Sequence, residues 1–141
     1  MSTTGNASVI EAFFDAFNER DFDRAAALVT EDFELVDYAF GFTFHGPAGL
    51  LQWFQGFVTA GPDARASLIR TIVEGEWVAS EHVGRFTQTG PLVTPAGEIP
   101  PTGRSVEIQF GEIYQVKGDK IASLHAYYDG ATIMRQLGLM S

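Results

Sequence analysis

Three side chains in this 141-residue chain have both the chemistry to move protons and a setting that would tune them: Asp37, Glu112 and His82. In the stretch 106–112, Val106, Ile108, Phe110 and Glu112 alternate with Glu107, Gln109 and Gly111. Side chains alternate across a strand, so an apolar face three positions long points at a core, and Glu112 continues that face. Asp37 does the same after Phe33 and Leu35. Burying a carboxylate is costly unless it is paired, protonated or used, and desolvation raises its pKa toward the range of a general acid or base near neutral pH. Two carboxylates sharing an apolar cavity are pushed apart in pKa, one charged and one protonated. Such a pair suits abstraction of a proton beside a carbonyl and its return elsewhere. The competing expectation is a carboxylate at a rim, or one that caps a helix. His82 lies mid-strand near Arg85. On a pocket face it would carry protons; on the other face it would be a surface or dimer-interface residue.

Other candidates have plainer readings. Phe13, Phe17, Trp53, Phe54 and Phe57 recur at helical spacing and are expected in the core, some of them lining an apolar pocket. Phe110 and Leu124 share inward strand faces with the acidic positions and with Tyr128. The Tyr128 hydroxyl either meets a ligand oxygen or is satisfied within the core, and Tyr114 is similar. His45, beside Gly46-Pro47, reads as a loop or cap residue, and His125 as lying outside the pocket. Three scattered histidines without helical pairing do not make a metal site, and no phosphate loop or nucleophile elbow is present. No metal and no cofactor are expected.

The elements that must position these groups follow from periodicity. Val9, Ala12, Phe13, Ala16 and Phe17 predict a helix over 8–19, and Asp21 predicts the cap of a short helix over 22–29. A strand over 31–38 and an aromatic loop over 39–45 follow. Gly46-Pro47 opens a third helix that stops at Gly61-Pro62-Asp63. Strands are expected over 65–74 and 77–88, although the alternation of the second is too weak to assign its faces. A Gly/Pro-rich connection over 89–101 has a length more often functional or mobile than a mere link. The chain closes with the strand containing Glu112, a turn at Gly118-Asp119, a strand over 120–128 whose outward face includes Ile121, and a helix capped by Asp129. Helices segregated from a largely antiparallel sheet predict a single α+β domain over 1–141.

Composition bounds the function. Hydrophobic residues make up 45 % and charged residues 19 %, as in soluble globular proteins, and the absence of cysteine excludes disulfides and thiolate chemistry. A net charge of −9 argues against nucleic acid or an anionic membrane as partner. No apolar run approaches the length of a membrane span, and the polar start Met-Ser-Thr-Thr-Gly-Asn carries no signal-peptide core, so a cytoplasmic protein is expected. Ile113, Ile121 and Tyr127 on the outer sheet face predict a homodimer.

Several short pieces in order, Gly46-Pro47-Ala48-Gly49, Gly61-Pro62-Asp63, Glu74-Gly75-Glu76-Trp77-Val78-Ala79, Pro100-Pro101-Thr102-Gly103-Arg104, Gly118-Asp119-Lys120-Ile121, Tyr127-Tyr128-Asp129 and Arg135-Gln136-Leu137-Gly138-Leu139, make nearly the whole chain resemble the SnoaL-like polyketide cyclases of the nuclear transport factor 2-like superfamily. The resemblance implies a cone-shaped, curved, mostly antiparallel sheet wrapped over three helices, the cystatin-like architecture. It does not fix the reaction, because one fold hosts many functions. The acid/base aspartate of the typical cyclases falls at Ala126 and their histidine at Glu112, so both have changed. The arginine of limonene-type epoxide hydrolases falls at Phe110 and is missing. In the similar ketosteroid isomerases the base falls at Asp37 and the protonated oxyanion-hole aspartate at Glu112, while the tyrosine falls at Phe13. The resulting expectation is a cofactor-independent enzyme performing enol chemistry on an apolar cyclic carbonyl compound, with Asp37 as base and Glu112 as acid. The alternative is a non-catalytic small-molecule binder of the same fold.

Overall fold

The computed structural model describes residues 3–140. Helix α1 (Thr3–Glu19) and the short α2 (Phe22–Ala27) come first, with the Asp21 carboxylate capping α2 through the Arg24 amide as expected. Strand β1 (Val29–Asp37) turns into β2 (Phe42–His45), and Pro47 sits in the first turn of α3 (Gly46–Ala60). Then come β3 (Arg65–Glu74), β4 (Trp77–Thr87), the hairpin β5 (Leu92–Thr94) and β6 (Gly97–Ile99), the long β7 (Ser105–Lys117), β8 (Lys120–Tyr128) and α4 (Gly130–Gln136). Six strands form one sheet in the order β2-β1-β8-β7-β4-β3, antiparallel except for the β1–β8 pair, with β5 and β6 forming a separate ribbon. The architecture is the α+β one expected, with helices against the inner face of a curved sheet.

Several sequence expectations are corrected. The aromatic stretch 39–45 is not wholly a loop, because β2 forms within it and pairs with β1. Val29 belongs to β1 rather than to α2. The 89–101 connection contains regular structure. It folds as β5–β6, and the buried Gln88 amide donates to the carbonyls of Gly90, Ile99 and Pro100 and accepts from the amide and hydroxyl of Thr102. The amides of Thr89 and Gly90 also bond the Ala60 carbonyl at the end of α3. Gly90 is required there, since a Cβ would lie 2.0 Å from the Thr59 carbonyl oxygen. Ile121 is fully buried rather than outward. A register shift between Gln115 and Val116 places it opposite Val116 and reverses the alternation locally.

Register builds the inner face row by row. Asp37, Ala126, Glu112 and Ser80 are cross-strand partners in sequence along β1, β8, β7 and β4. Leu35, Leu124, Tyr114 and Val78 form the next row. Tyr128, Phe110 and His82 form the row on the other side. The inward face of β4 is thus the one carrying Val78, Ser80, His82, Gly84 and Phe86. Asn18 fastens α1 over this face by accepting from the Ala66 amide and donating to its carbonyl on edge strand β3.

Candidate functional site

Between α1, α3 and the inner face lies a cavity with about 60 Å³ of free space. Phe13, Phe14 and Phe17 line it from α1, Trp53, Phe54 and Phe57 from α3, and Ile133 from α4. The sheet contributes His82, Gly84 and Phe86 from β4 and Ile108, Phe110 and Glu112 from β7, with Ala64 and Ala66 where β3 begins. Ala66 and Gly84 are paired in register. Gly84 keeps the wall thin, since a Cβ there would lie 2.9 Å from the Phe110 ring.

Glu112 is 2 % exposed and its Oε1 accepts a 2.5 Å hydrogen bond from the Tyr114 hydroxyl. Tyr114 is fully buried and meets Ser80 Oγ at 2.7 Å. Burial dominates the Glu112 carboxyl and raises it from 4.5 to about 7; the Tyr114 bond works in the lowering direction and the negative charge of Asp37 in the raising one. Burial likewise pushes the Tyr114 hydroxyl well above its ordinary range, with the Glu112 charge adding to the effect. His82 is 5 % exposed, and burial lowers it to about 3, so its imidazole is neutral at physiological pH. Its ring stacks on Phe110 at 4.4 Å and meets Phe14 edge-on at 4.8 Å. Its Nδ1 is buried without a hydrogen-bond partner among the described residues and lies 3.8 Å from Glu112 Oε1. That separation is too long for a hydrogen bond, yet it aims an orphaned polar atom at a carboxyl group that exists in both protonation states near neutral pH.

Asp37 occupies a different setting. It is buried and faces inward as its strand pattern predicts, but it is not among the residues lining the cavity. Its Oδ1 accepts from the amides of Ala39 and Phe40, and its Oδ2 from the Trp53 indole at 2.9 Å and the Tyr128 hydroxyl at 2.5 Å. Four donors converge on one carboxylate, so its acceptor capacity is spent inside the protein. Register separates it from Glu112 by two strand spacings, about 10 Å. The expected pair therefore shares a face without sharing the cavity. Tyr128 donates to Asp37 rather than toward the cavity, and burial and the Asp37 charge push its hydroxyl far up. Leu124 is fully buried in the core and does not line the cavity.

Of the expected site residues, the structure brings Glu112, His82, Phe13, Phe17, Trp53, Phe54 and Phe110 together around one cavity and leaves Asp37, Leu124 and Tyr128 outside it. Ser80 and Tyr114 do not line the cavity but are tied to it through the Glu112 carboxyl. The signal for Tyr114 was its place two residues after Glu112 on the same strand face; Ser80 became visible only once β4 had its register against β7. His125 packs beside Tyr38, whose ring stacks on Tyr127 on the outer sheet face. Among the described residues no group of three or more His, Asp or Glu is placed to hold a metal ion, and no helix is long and apolar enough to cross a membrane.

Comparison with known proteins gives the same picture of the fold. A family model for the SnoaL-like domain matches residues 10–124. A search of curated proteins returns no match. Among solved structures, a proposed SnoaL-like polyketide cyclase from Jannaschia sp. CCS1 superposes with a TM-score of 0.85 at 15 % identity, over 99 % of this chain and 95 % of its own. IdmH, a proposed polyketide cyclase from Streptomyces antibioticus, gives 0.75 at 25 % identity over 94 % and 98 % of the two chains. A protein of ketosteroid isomerase-like fold from Catenulispora acidiphila, solved with trimethylamine, gives 0.78 at 19 % identity over 93 % and 92 %. With most of its length matched by the family model and its sheet and helices shared with these structures, the chain belongs to the SnoaL-like domain family.

Proposed function

We propose that the protein is a cofactor-independent enzyme that performs acid/base enol chemistry, an isomerisation or a cyclisation, on an apolar cyclic carbonyl compound held among its aromatic side chains. The observation that carries this reading is a buried carboxyl, Glu112, raised to about 7 and facing the unpartnered Nδ1 of a neutral histidine inside an apolar cavity. Magnitudes assign the roles. A histidine lowered to about 3 is too weak a base for proton abstraction at neutral pH, whereas a carboxylate near 7 is matched to it. Glu112 is therefore the base. It takes a proton from the carbon beside the carbonyl as the electron pair moves to the carbonyl oxygen. Neutral His82 hydrogen-bonds that oxygen. Glu112 then returns the proton at another carbon, completing an isomerisation, or the enol carbon attacks a second carbonyl, whose oxygen receives the electron pair and takes the proton back from Glu112, completing a ring. Asp37 serves this scheme from behind, holding Trp53 and Tyr128 in place.

The test is hydrogen–deuterium exchange beside the carbonyl of 2-tetralone or cyclohexanone in D2O, followed by proton NMR. The wild type accelerates exchange, and Glu112→Gln slows it by at least about 10²-fold, the typical contribution of a positioned base. Equal rates for the two proteins would sink the proposal. A second reading, a non-catalytic binder of small apolar molecules, is favoured by the methyl group of Ala126 opposite Glu112, at the position where the resembling cyclases carry their aspartate. Under that reading ligands bind but neither protein exchanges them. We also propose a homodimer through the outer sheet face, where Ile113, Tyr127 and Tyr38 are exposed.

A further inference from the structure

We propose that Tyr114 and Ser80 are positioning residues that decide which oxygen of Glu112 exchanges protons with the ligand. This rests on the reading of Glu112 as the proton-transfer group. The Tyr114 hydroxyl has one hydrogen, and it goes to Glu112 Oε1. Ser80 Oγ, 2.7 Å from the same hydroxyl, must therefore donate to Tyr114. The result is a one-way chain, Ser80 to Tyr114 to Glu112, in which all three residues are buried. Ser80 and Glu112 are direct cross-strand partners, and Tyr114 follows Glu112 by two, so the sheet itself fixes the chain's geometry.

The chain occupies Oε1 whether Glu112 is ionised or protonated. Oε2 accepts no hydrogen bond among the described residues and is the oxygen left to take and return a proton. Proton transfer to Oε2 then requires no rearrangement of the chain, because Tyr114 goes on donating to Oε1 throughout. The groups facing Glu112 are His82 from β4, Tyr114 from its own strand, Asp37 from β1 and Tyr128 from β8. His82 is neutral, and the two tyrosine hydroxyls stay protonated. Among the described residues, Tyr114 is thus the one group bonded directly to the carboxyl.

The experiment is carboxyl-carbon NMR titration of Glu112, assigned with Glu112→Gln, in the wild type, Tyr114→Phe, Ser80→Ala and a protein with 3-fluorotyrosine at 114. Losing a hydrogen bond to a charged group is expected to raise the Glu112 midpoint by about one unit or more in Tyr114→Phe. Ser80→Ala should raise it by less, since it only weakens the Tyr114 donor. Fluorotyrosine, a stronger donor of nearly unchanged shape, should lower it, and it keeps the test alive if Tyr114→Phe does not fold. A wild-type midpoint near 7 that none of these changes moves, or that Tyr114→Phe lowers, overturns this inference while leaving Glu112 as the base. A wild-type midpoint near 4 instead removes the functional reading beneath it.

Discussion

Replacing Glu112 with Gln should change how stability depends on pH, through an interplay of two buried groups. Burial raises Glu112 from 4.5 in the unfolded chain to about 7 in the folded one. Between those values the native state holds a proton that the unfolded chain has released, so stability falls as pH rises. The shift corresponds to about 3 kcal/mol at 1.36 kcal/mol per unit, fully present below about pH 4.5 and lost as pH rises through about 7. His82 acts in the opposite sense. Its folded value is lowered from 6.5 to about 3, so its contribution is present above about pH 6.5 and is lost as pH falls toward 3. From about pH 4.5 to 6.5 the two slopes cancel, because the native pair keeps its single proton on Glu112 while the unfolded chain keeps it on His82.

The wild type should therefore show a plateau in this window, with losses on both sides. Glu112→Gln keeps the shape of the protonated carboxyl and removes the alkaline loss. Relative to the wild type, the variant should gain about 3 kcal/mol between about pH 4.5 and 8. Urea unfolding at four or five pH values in that range measures both curves. A difference between the two proteins that stays constant across the range would refute the reasoning, because it would mean that Glu112 titrates as it does in the unfolded chain.

Other perturbations test other parts of the structure. Asp37→Asn turns an acceptor toward the Trp53 indole and the Tyr128 hydroxyl into a donor, and should cost about 3 kcal/mol in chemical denaturation with a changed Trp53 fluorescence maximum. Gln88→Ala removes the side chain that ties 90–102 together, so amide exchange in that segment should rise well above that of β7 while the sheet stays protected. If the outer face joins two copies, Tyr127→Glu should shift the light-scattering mass toward that of a monomer; an unchanged mass would place the contact elsewhere.

Much of the sheet was legible because its longest strands alternate cleanly. The inward placement of Asp37 and of Glu112 followed from the apolar faces before them alone, Phe33 and Leu35 in one strand and Val106, Ile108 and Phe110 in the other. What that pattern does not contain is depth along the sheet. Whether an inward carboxylate meets a cavity or the core depends on what covers it, and Asp37 is covered by Trp53, 16 residues away, and by Tyr128, 91 residues away. The faces of β4 were illegible for a related reason: Ser80, His82 and Gly84 are not apolar, yet they face inward because β7 pairs beside them. Ile121 was placed on the wrong face because one bulge shifts the period of two. The strands β2, β5 and β6 are only three or four residues long, too short to display an alternation.

The account stands most directly on the ionisation of Glu112 in the wild-type protein. A carboxyl-carbon NMR titration with the Glu112→Gln spectrum for assignment measures it without any substrate. The account predicts a midpoint near 7, well above the ordinary glutamate value of about 4.3. A midpoint near 4 would place Glu112 in water rather than in an apolar cavity beside His82, and would contradict its assignment as the base.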